Sequence, residues 1–363
     1  EYQDLRENGK NGPVLDTVVR AAAAVLGIEV VAPDESESFA HLGGDSLAAL
    51  SYSILLEDIY GFPVDVGMIM HPAGSFRQLA GNIDDIRSFK RVDPFSLVHG
   101  GDAAVLQASD LTVDKLVDPA ILSSAPALSL PASAEPKTVL LTGANGFLGR
   151  FLCLEWLKRL EKNNGRLICI GRGADDEGAK ARLLEVFEGG DGAFARDLHR
   201  LAGDGRLTVL AGDLSAPHLG LDDTQWHDLA ADVDLIVHPA ALVNHKLPYR
   251  QLFGPNVIGT ATLIELALTS KMKRFSHVST IAAIGHDGKI AAEDDDLAQV
   301  IPQWRTSEAY ADGYGASKWA AEILLADAHK RFGLPICVFR SNMIMAPASY
   351  SGQLNIPDVF TRQ

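Results

Sequence analysis

Apolar residues recur at close to helical spacing at Val14, Leu15, Val18, Val19, Ala22 and Val25, which predicts a helix over 13–26 that Gly27 stops. A second helix is predicted to open near Asp45 and to run through Leu47, Leu50, Ile54 and Leu55 to about Tyr60. A third runs from about Ser75 through Phe76, Leu79 and Ile83. From Thr138 onward the texture changes to short apolar runs, predicting strands at 138–142, 166–170, 207–210, 234–237, 274–278 and 336–339. Amphipathic stretches at 149–161, 180–188, 259–270 and 315–332 fall between them as helices. Repeated strand–helix alternation gives an α/β fold, a doubly wound parallel sheet of Rossmann type with helices on both faces, preceded by a small helical domain. No internal repeat at solenoid periods is present.

The two textures are separated by a poor core former. Of the 18 residues from 119 to 136, 13 are Pro, Ala or Ser, so residues 91–136 are expected to be a linker, with 111–117 as a short helix packed on either neighbour. The small domain then spans 12–90 and the sheet domain 137–363. Charge follows this division: residues 1–90 hold 14 acids and 6 bases, a net of −8 out of −15 for the 363-residue chain. So acidic a chain with no basic block is not a nucleic-acid binder. No apolar run approaches the ~18 residues that a membrane span needs, and residues 1–10 are not a signal peptide. Cys153, Cys169 and Cys337 are odd in number and lack metal-ligand spacing, as expected for reduced, buried thiols of a soluble cytoplasmic protein. No metal site is expected, Asp294–Asp296 reading as a solvated acidic loop.

Candidate chemistry begins where the first strand of the sheet ends. Gly143, Gly146 and Gly149, with Ala144, Asn145, Phe147 and Leu148 between them, follow a strand and open a helix. Such glycines permit a tight turn, let backbone approach a pyrophosphate, and let helix pack on strand, while the helix N-terminus offers N–H groups to the anion. A glycine-rich structural turn is the alternative. The second strand ends in Arg172 rather than an acid, and Arg182 lies ten residues on. Guanidinium groups suit a ribose 2′-phosphate, which favours NADPH, unless both are simply solvated surface residues.

Tyr314 and Lys318 form a Tyr-x-x-x-Lys pair at a helix start, on one face at i and i+4. An ammonium beside the phenol would favour the phenolate and ease proton exchange. Ser279 and Thr280, closing the fifth strand, offer hydroxyls to a carbonyl oxygen, and Asn256 is a candidate to hold Lys318 through water. His238 and His245 read as packing residues, and Trp304 and Tyr310 either line a substrate entrance or pack.

The G-x-x-G-x-x-G spacing resembles the extended short-chain dehydrogenases/reductases. That resemblance implies adenine contact at Asp213 and Leu214, and a nicotinamide side lined by Ala240, Ala241 and Asn244, with Ser279, Tyr314, Lys318, Ser341 and Asn342 completing the cofactor set. Leu42-Gly43-Gly44-Asp45-Ser46-Leu47 resembles the attachment motif of acyl and peptidyl carrier proteins, which implies 4′-phosphopantetheine on Ser46. A plain helix cap is the alternative. Together these motifs resemble the carrier-plus-reductase portion of a carboxylic acid reductase; terminal reductase domains of nonribosomal peptide synthetases share most of them.

The resemblance implies NADPH-dependent reduction of an acyl thioester tethered on Ser46 to the aldehyde, with Thr280, Tyr314 and Lys318 catalytic and the thiol released. It also implies a phosphopantetheinyl transferase and an upstream adenylation domain of the same polypeptide as partners, ATP being used only there. A carrier attached to a non-catalytic NADPH-binding scaffold is the rival from another class, whereas a nucleotide-sugar epimerase would leave Ser46 unexplained. Only 23 residues follow Arg340, where the family builds much of its substrate lobe, so a fragment is expected. In the family an acidic residue associated with restraining release to the aldehyde usually stands where this chain has Asn342.

Overall fold

Between Ala103 and Ala104 the chain divides into two units, Glu1–Ala103 and Ala104–Gln363. A computed structural model describes residues 2–28, 37–62, 64, 66–70, 74–87, 93–101, 104–131, 133–188, 192–286, 288–307, 309, 311–345 and 350.

The first unit is helical, with its main helices at Val14–Leu26, Ser46–Tyr60 and Phe76–Arg87 and shorter ones at Tyr2–Asn8, Val66–Ile69 and Pro94–His99. Gly27 (φ 66°) and Gly61 (φ 78°) end the first two in the left-handed conformation that glycine adopts without a Cβ penalty. The core is Val18, Val19, Ala22, Tyr52, Leu55, Leu56, Phe76, Leu79 and Ile83. Tyr52 is wholly buried. Its ring stacks on Phe39 at 4.8 Å and its hydroxyl donates to the Val18 carbonyl at 2.6 Å, so the polar end is satisfied. The expected start at residue 12 is too late, because Leu5 from Tyr2–Asn8 is also fully buried in this core.

The second unit carries a six-stranded parallel sheet: β1 Thr138–Thr142, β2 Arg166–Gly171, β3 Leu207–Ala211, β4 Leu235–His238, β5 Arg274–Thr280 and β6 Ile336–Ser341. Their order is β6-β5-β4-β1-β2-β3, so the direction of winding reverses between β1 and β4, where a crevice opens beyond the strand C-termini. Helices Phe147–Glu161 and Ala193–Leu201 cover one face through Cys153, Leu154, Leu157, Phe194 and Leu198. On the other, His238 and Ser279 meet residues of Gly259–Ala267 and Asp312–Phe332. Every residue of β1 and β4 is buried, which is why these strands read as apolar runs. β5 and β6 alternate, and Cys337 on β6 is exposed, so of the three thiols expected to be buried only Cys153 and Cys169 are.

The expected linker is corrected in part. Residues from 104 onward belong to the sheet unit: Val105–Gln107 pairs antiparallel with Gln303–Arg305, and Leu106, Leu111, Val113, Val117 and Ala125 are buried. The Val113 N–H donates to Asp327 Oδ2 at 2.9 Å, and Arg331 pairs with Asp114. Even the Pro/Ala/Ser stretch holds structure, a helix Pro119–Ser124 capped by Asp118 and a bond from the Met272 N–H to the Ser129 carbonyl at 3.2 Å. Small residues cannot build a core, but they can lie against one. The short helix expected within 111–117 is the 3-10 helix Val113–Lys115.

Candidate active site

The glycine loop crosses the C-terminal end of β1. Gly143 has φ 64°, and a Cβ there would lie 2.8 Å from Ala240 Cα, so the loop rests against the chain leaving β4. At Gly149 a Cβ would stand 1.8 Å from the Gly143 carbonyl oxygen. This glycine lets the helix turn back onto its own loop. Gly146 caps Phe147–Glu161 without a side-chain bond, which leaves first-turn N–H groups for an anion.

Past the end of β2, Arg172 and Arg182 are both exposed, and neither has a hydrogen bond or ion pair among the described residues. The acids beside them are engaged. Asp175 accepts from the Gly178 N–H at 2.7 Å, and Asp176 accepts from the Ala211 N–H at 2.7 Å. Both serve local backbone, leaving two unneutralised guanidinium groups. Asp213 Oδ1 accepts from the Ser215 N–H at 2.8 Å, while Leu214 packs against Gly259.

Tyr314 and Lys318 lie in the first turns of Asp312–Phe332. A Cβ at Gly313 would come within 2.3 Å of the Leu247 carbonyl oxygen, and one at Gly315 within 3.2 Å of the Ala282 carbonyl oxygen. The helix start is thus wedged between the loop after β4 and the turn after β5 that follows Thr280. The Thr280 hydroxyl accepts from the Ala282 N–H at 3.3 Å and keeps its own hydrogen to donate. His245 meets the Tyr314 ring edge-on at 5.5 Å. Trp304 packs: it is 2% exposed, it lies on Trp319, and its Nε1 donates to Asp312 at 3.1 Å. Tyr310 lies outside the described residues.

Burial governs the electrostatics. Lys318 is 2% exposed and its Nζ has no hydrogen bond to any described residue; burial lowers its pKa to about 7 against the opposing pull of Glu322. Burial raises the Tyr314 pKa instead, so the lowering expected from a neighbouring ammonium is not what this site produces. A desolvated lysine that titrates near neutrality is a weak source of positive field.

Other expected members are drawn elsewhere. The Ser279 hydroxyl donates to Glu322, whose second oxygen accepts from Arg340 Nε and Nη2 at 3.0 and 2.9 Å. Asn244 Oδ1 accepts from the Lys246 and Leu247 N–H groups at 2.9 and 3.2 Å and so shapes its own loop. Asn256, in the π-helical segment Phe253–Ile258, accepts from the Leu242 N–H at 2.7 Å and donates to the Leu242 carbonyl and Ser317 Oγ at 3.2 and 2.9 Å. Ser341 is half-buried at the end of β6, in register with Thr280, and Asn342 is exposed just beyond. Sequence reasoning missed the Glu322–Arg340 pair and His277, since neither belongs to a motif.

On the helical unit, a Cβ at Gly44 would lie 2.2 Å from the Phe39 ring, and Gly43 has φ 90°. Asp45 caps the next helix through the Ala48 N–H at 2.8 Å, so Ser46 is its first residue, with a side chain outside what the structure describes. The cap is therefore Asp45.

A glycine loop on a helix N-terminus, free guanidinium groups at the ribose end and a buried unpartnered lysine fit a dinucleotide carrying a 2′-phosphate. Fold and site define a nucleotide-binding reductase joined to a carrier unit. Residues 141–363 match the family described as male sterility protein, and residues 16–83 match the phosphopantetheine attachment site. The chain belongs to this family and is similar to the carrier-plus-reductase portion of carboxylic acid reductases. It is 51% identical over its whole length to the carboxylic acid reductase of Mycobacterium tuberculosis and 49% identical to that of Segniliparus rugosus, spanning 31% and 30% of those proteins. A solved reductase domain of a nonribosomal peptide synthetase from Mycobacterium tuberculosis is 48% identical, with a TM-score of 0.66 over 71% of this chain and 60% of that one. Among the described residues no helix is long and apolar enough to cross a membrane, and no cluster of His, Cys, Asp or Glu could hold a metal.

Proposed function

We propose that this chain reduces an acyl thioester carried on a phosphopantetheine arm at Ser46 to the aldehyde, using NADPH in preference to NADH. It would act in the cytoplasm, with an adenylation domain upstream in the same polypeptide loading the arm and a phosphopantetheinyl transferase installing it. The observation that carries the reading is Lys318, buried without a partner one turn from Tyr314 on the helix that Glu322 ties to β5 and β6. When bound, the cofactor supplies hydride and the arm presents the acyl carbonyl. Thr280 and Tyr314 donate hydrogen bonds to the carbonyl oxygen as it gains charge, the kind of contact that lowers the barrier most. Tyr314, whose pKa is raised, stays protonated and gives its proton to that oxygen. The hemithioacetal so formed loses its C–S bond, its hydroxyl proton passing to the departing phosphopantetheine sulfur, and leaves aldehyde and free thiol. Lys318 donates to the cofactor ribose and supports Tyr314 in its charged form. Arg172 and Arg182 hold the 2′-phosphate, and the first-turn N–H groups after Gly146 hold the pyrophosphate. Tethering raises the local substrate concentration, so weak contacts suffice.

Tyr314→Phe in the full chain, loaded with acyl-phosphopantetheine, tests this. NADPH oxidation should fall by about two to four orders of magnitude, the usual worth of a positioned proton donor. An unchanged rate would show that Tyr314 is not the proton donor, and no oxidation by either protein would leave a carrier attached to a non-catalytic NADPH-binding scaffold. The likeness to the peptide synthetase reductase supports a second reading, a terminal reductase of such a synthetase; a peptidyl rather than simple acyl group as the preferred load would select it.

A further inference from the structure

The register between β1 and β4 runs from Val139–Leu235 to Leu141–Val237 and stops one residue short of Thr142 and His238, at the throat of the crevice. There a side-chain contact takes over: His238 Nδ1 lies 2.7 Å from Thr142 Oγ1. On its other side, His238 Nε2 lies 3.3 Å from Thr260 Oγ1 of the helix Gly259–Ala267. Thr260 donates its one hydroxyl hydrogen to the Asn256 carbonyl at 2.7 Å. It can therefore only accept from the ring, which puts a hydrogen on Nε2. Burial holds the imidazole neutral, so Nδ1 accepts from Thr142. The neighbouring His277 of β5 shows that burial alone does not impose such pairing. Its ring lies 5.2 Å from that of His238 and is equally buried, yet neither nitrogen has a hydrogen-bond partner among the described residues.

The chain of donors continues past Asn256, whose side chain is clamped on the loop after β4 by the Leu242 N–H and carbonyl. Its remaining amide hydrogen goes to Ser317 Oγ at 2.9 Å, and the Ser317 hydroxyl donates to the Tyr314 carbonyl at 2.8 Å. Thr142 thus gives to His238, His238 to Thr260, Thr260 to Asn256, Asn256 to Ser317, and Ser317 to Tyr314. The five side chains are all buried, so each would be costly to leave unpaired, and each donor's orientation is set by the acceptor after it. The ends of this chain are the two halves of the candidate site. Thr142 directly precedes Gly143, which rests on Ala240, two residues past His238. Tyr314 heads the helix that carries Lys318.

We propose that His238 is a positioning residue which, as the Nε2–H tautomer, holds the glycine loop through Thr142 and, through Thr260, Asn256 and Ser317, the turn that carries Tyr314. The loop half concerns dinucleotide binding, and the Tyr314 half rests on the proposed reduction. The two ring nitrogens then serve separate tasks, Nδ1 the seat of the cofactor phosphates and Nε2 the proton donor. A neutral imidazole suits this place because it accepts on one side of a rigid ring and donates on the other. An amide reaches only one of the two positions: Asn sets its polar atoms near that of Nδ1, and Gln near that of Nε2.

That difference supplies the test, made in the full chain. His238→Asn keeps an acceptor for Thr142 and loses the donor to Thr260; His238→Gln does the reverse. His238→Asn should lower kcat for the tethered thioester about tenfold while the NADPH dissociation constant moves by less than about twofold. His238→Gln should raise that constant about tenfold and lower kcat by less than about threefold. The isosteric Thr260→Val and Thr142→Val should reproduce the first and second patterns. Histidine labelled with ¹⁵N reads the tautomer without cofactor: the signal lost in His238→Asn should be that of a neutral ring with its hydrogen on Nε2. A ring with its hydrogen on Nδ1 overturns the proposal. So do equal losses of affinity and turnover in both histidine variants, the mark of a residue that only holds the core, or no loss in either threonine variant. The expected tautomer and weakened NADPH binding in a chain that reduces no thioester overturn the reductase reading and leave the loop half standing.

Discussion

Glu322 grips Arg340 with one oxygen and takes the Ser279 hydroxyl with the other, tying Asp312–Phe332 to two adjacent strands. The carboxylate side chain is 3% exposed and the guanidinium 18%. Removing Arg340 leaves a buried carboxylate with one neutral donor. Arg340→Leu should cost about 3–5 kcal/mol in denaturant unfolding, as broken buried pairs do. A cost below about 1 kcal/mol would mean that the pair is hydrated in solution.

Arg172 stands exposed and unpaired while Asp175 and Asp176 serve the backbone. Arg172→Ala should weaken NADPH binding by about ten- to a hundredfold, the equivalent of ~1.5–3 kcal/mol for a hydrogen bond to a charged group. NADH binding should barely change. Equal weakening for the two cofactors in a titration would show that the arginine does not read the 2′-phosphate.

At Gly149 even one methyl group is excluded, since it would overlap the Gly143 carbonyl at 1.8 Å. Gly149→Ala must push the loop off β1 and should abolish measurable cofactor binding while the carrier unit still accepts its arm. Normal binding by calorimetry would contradict the loop geometry.

Stability should rise with pH from about 5 to about 8.5. The buried bases His238, His277, Lys273 and Lys318 all have lowered pKa values, the two lysines to about 7. The unfolded chain therefore binds more protons than the folded one across this window, and ΔG of unfolding climbs as pH rises. Above it the raised pKa values of Cys169 and of the buried Tyr52 and Tyr249 act in the opposite sense. Denaturant midpoints at pH 6 and pH 8 measure the slope, and Lys273→Met should flatten the part above pH 7. A midpoint no higher at pH 8 than at pH 6 would contradict the burial of these groups.

Asn342 is exposed just past the end of β6, whose last residue pairs with Thr280. Asn342→Asp places a charge there and should slow NADPH oxidation with untethered aldehyde relative to the present chain. Equal rates would remove this position from any control over where reduction stops.

The middle of the sheet was legible because β1, β2 and β4 are buried on both faces and read as nearly unbroken apolar runs bounded by turns. The glycine motif declared itself through steric need at Gly143 and Gly149, and Tyr314 with Lys318 through their spacing. What stayed hidden depends on contacts between distant segments. Helices Ala193–Leu201 and Asp223–Asp232 lie in polar stretches where only a few large residues, such as Phe194 and Trp226, face inward. The use of Ser279 by Glu322, of Asn256 by Ser317, and the unpaired state of His277 belong to packing, which no spacing encodes. Nor does composition reveal that Leu106 finds Trp304, two hundred residues away.

That last pairing sets where the protein can be cut. A reductase transplanted from Lys137 onward would leave behind the strand Val105–Gln107, expose the edge of Gln303–Arg305, and strip the cover supplied by Leu111, Val113 and Val117. Trp304, which anchors Asp312 at the head of the Tyr314–Lys318 helix, would lose its partner Leu106. A chimera that exchanges reductases between carriers should therefore join at Ala104, carrying the Pro/Ala/Ser stretch along as part of the cargo.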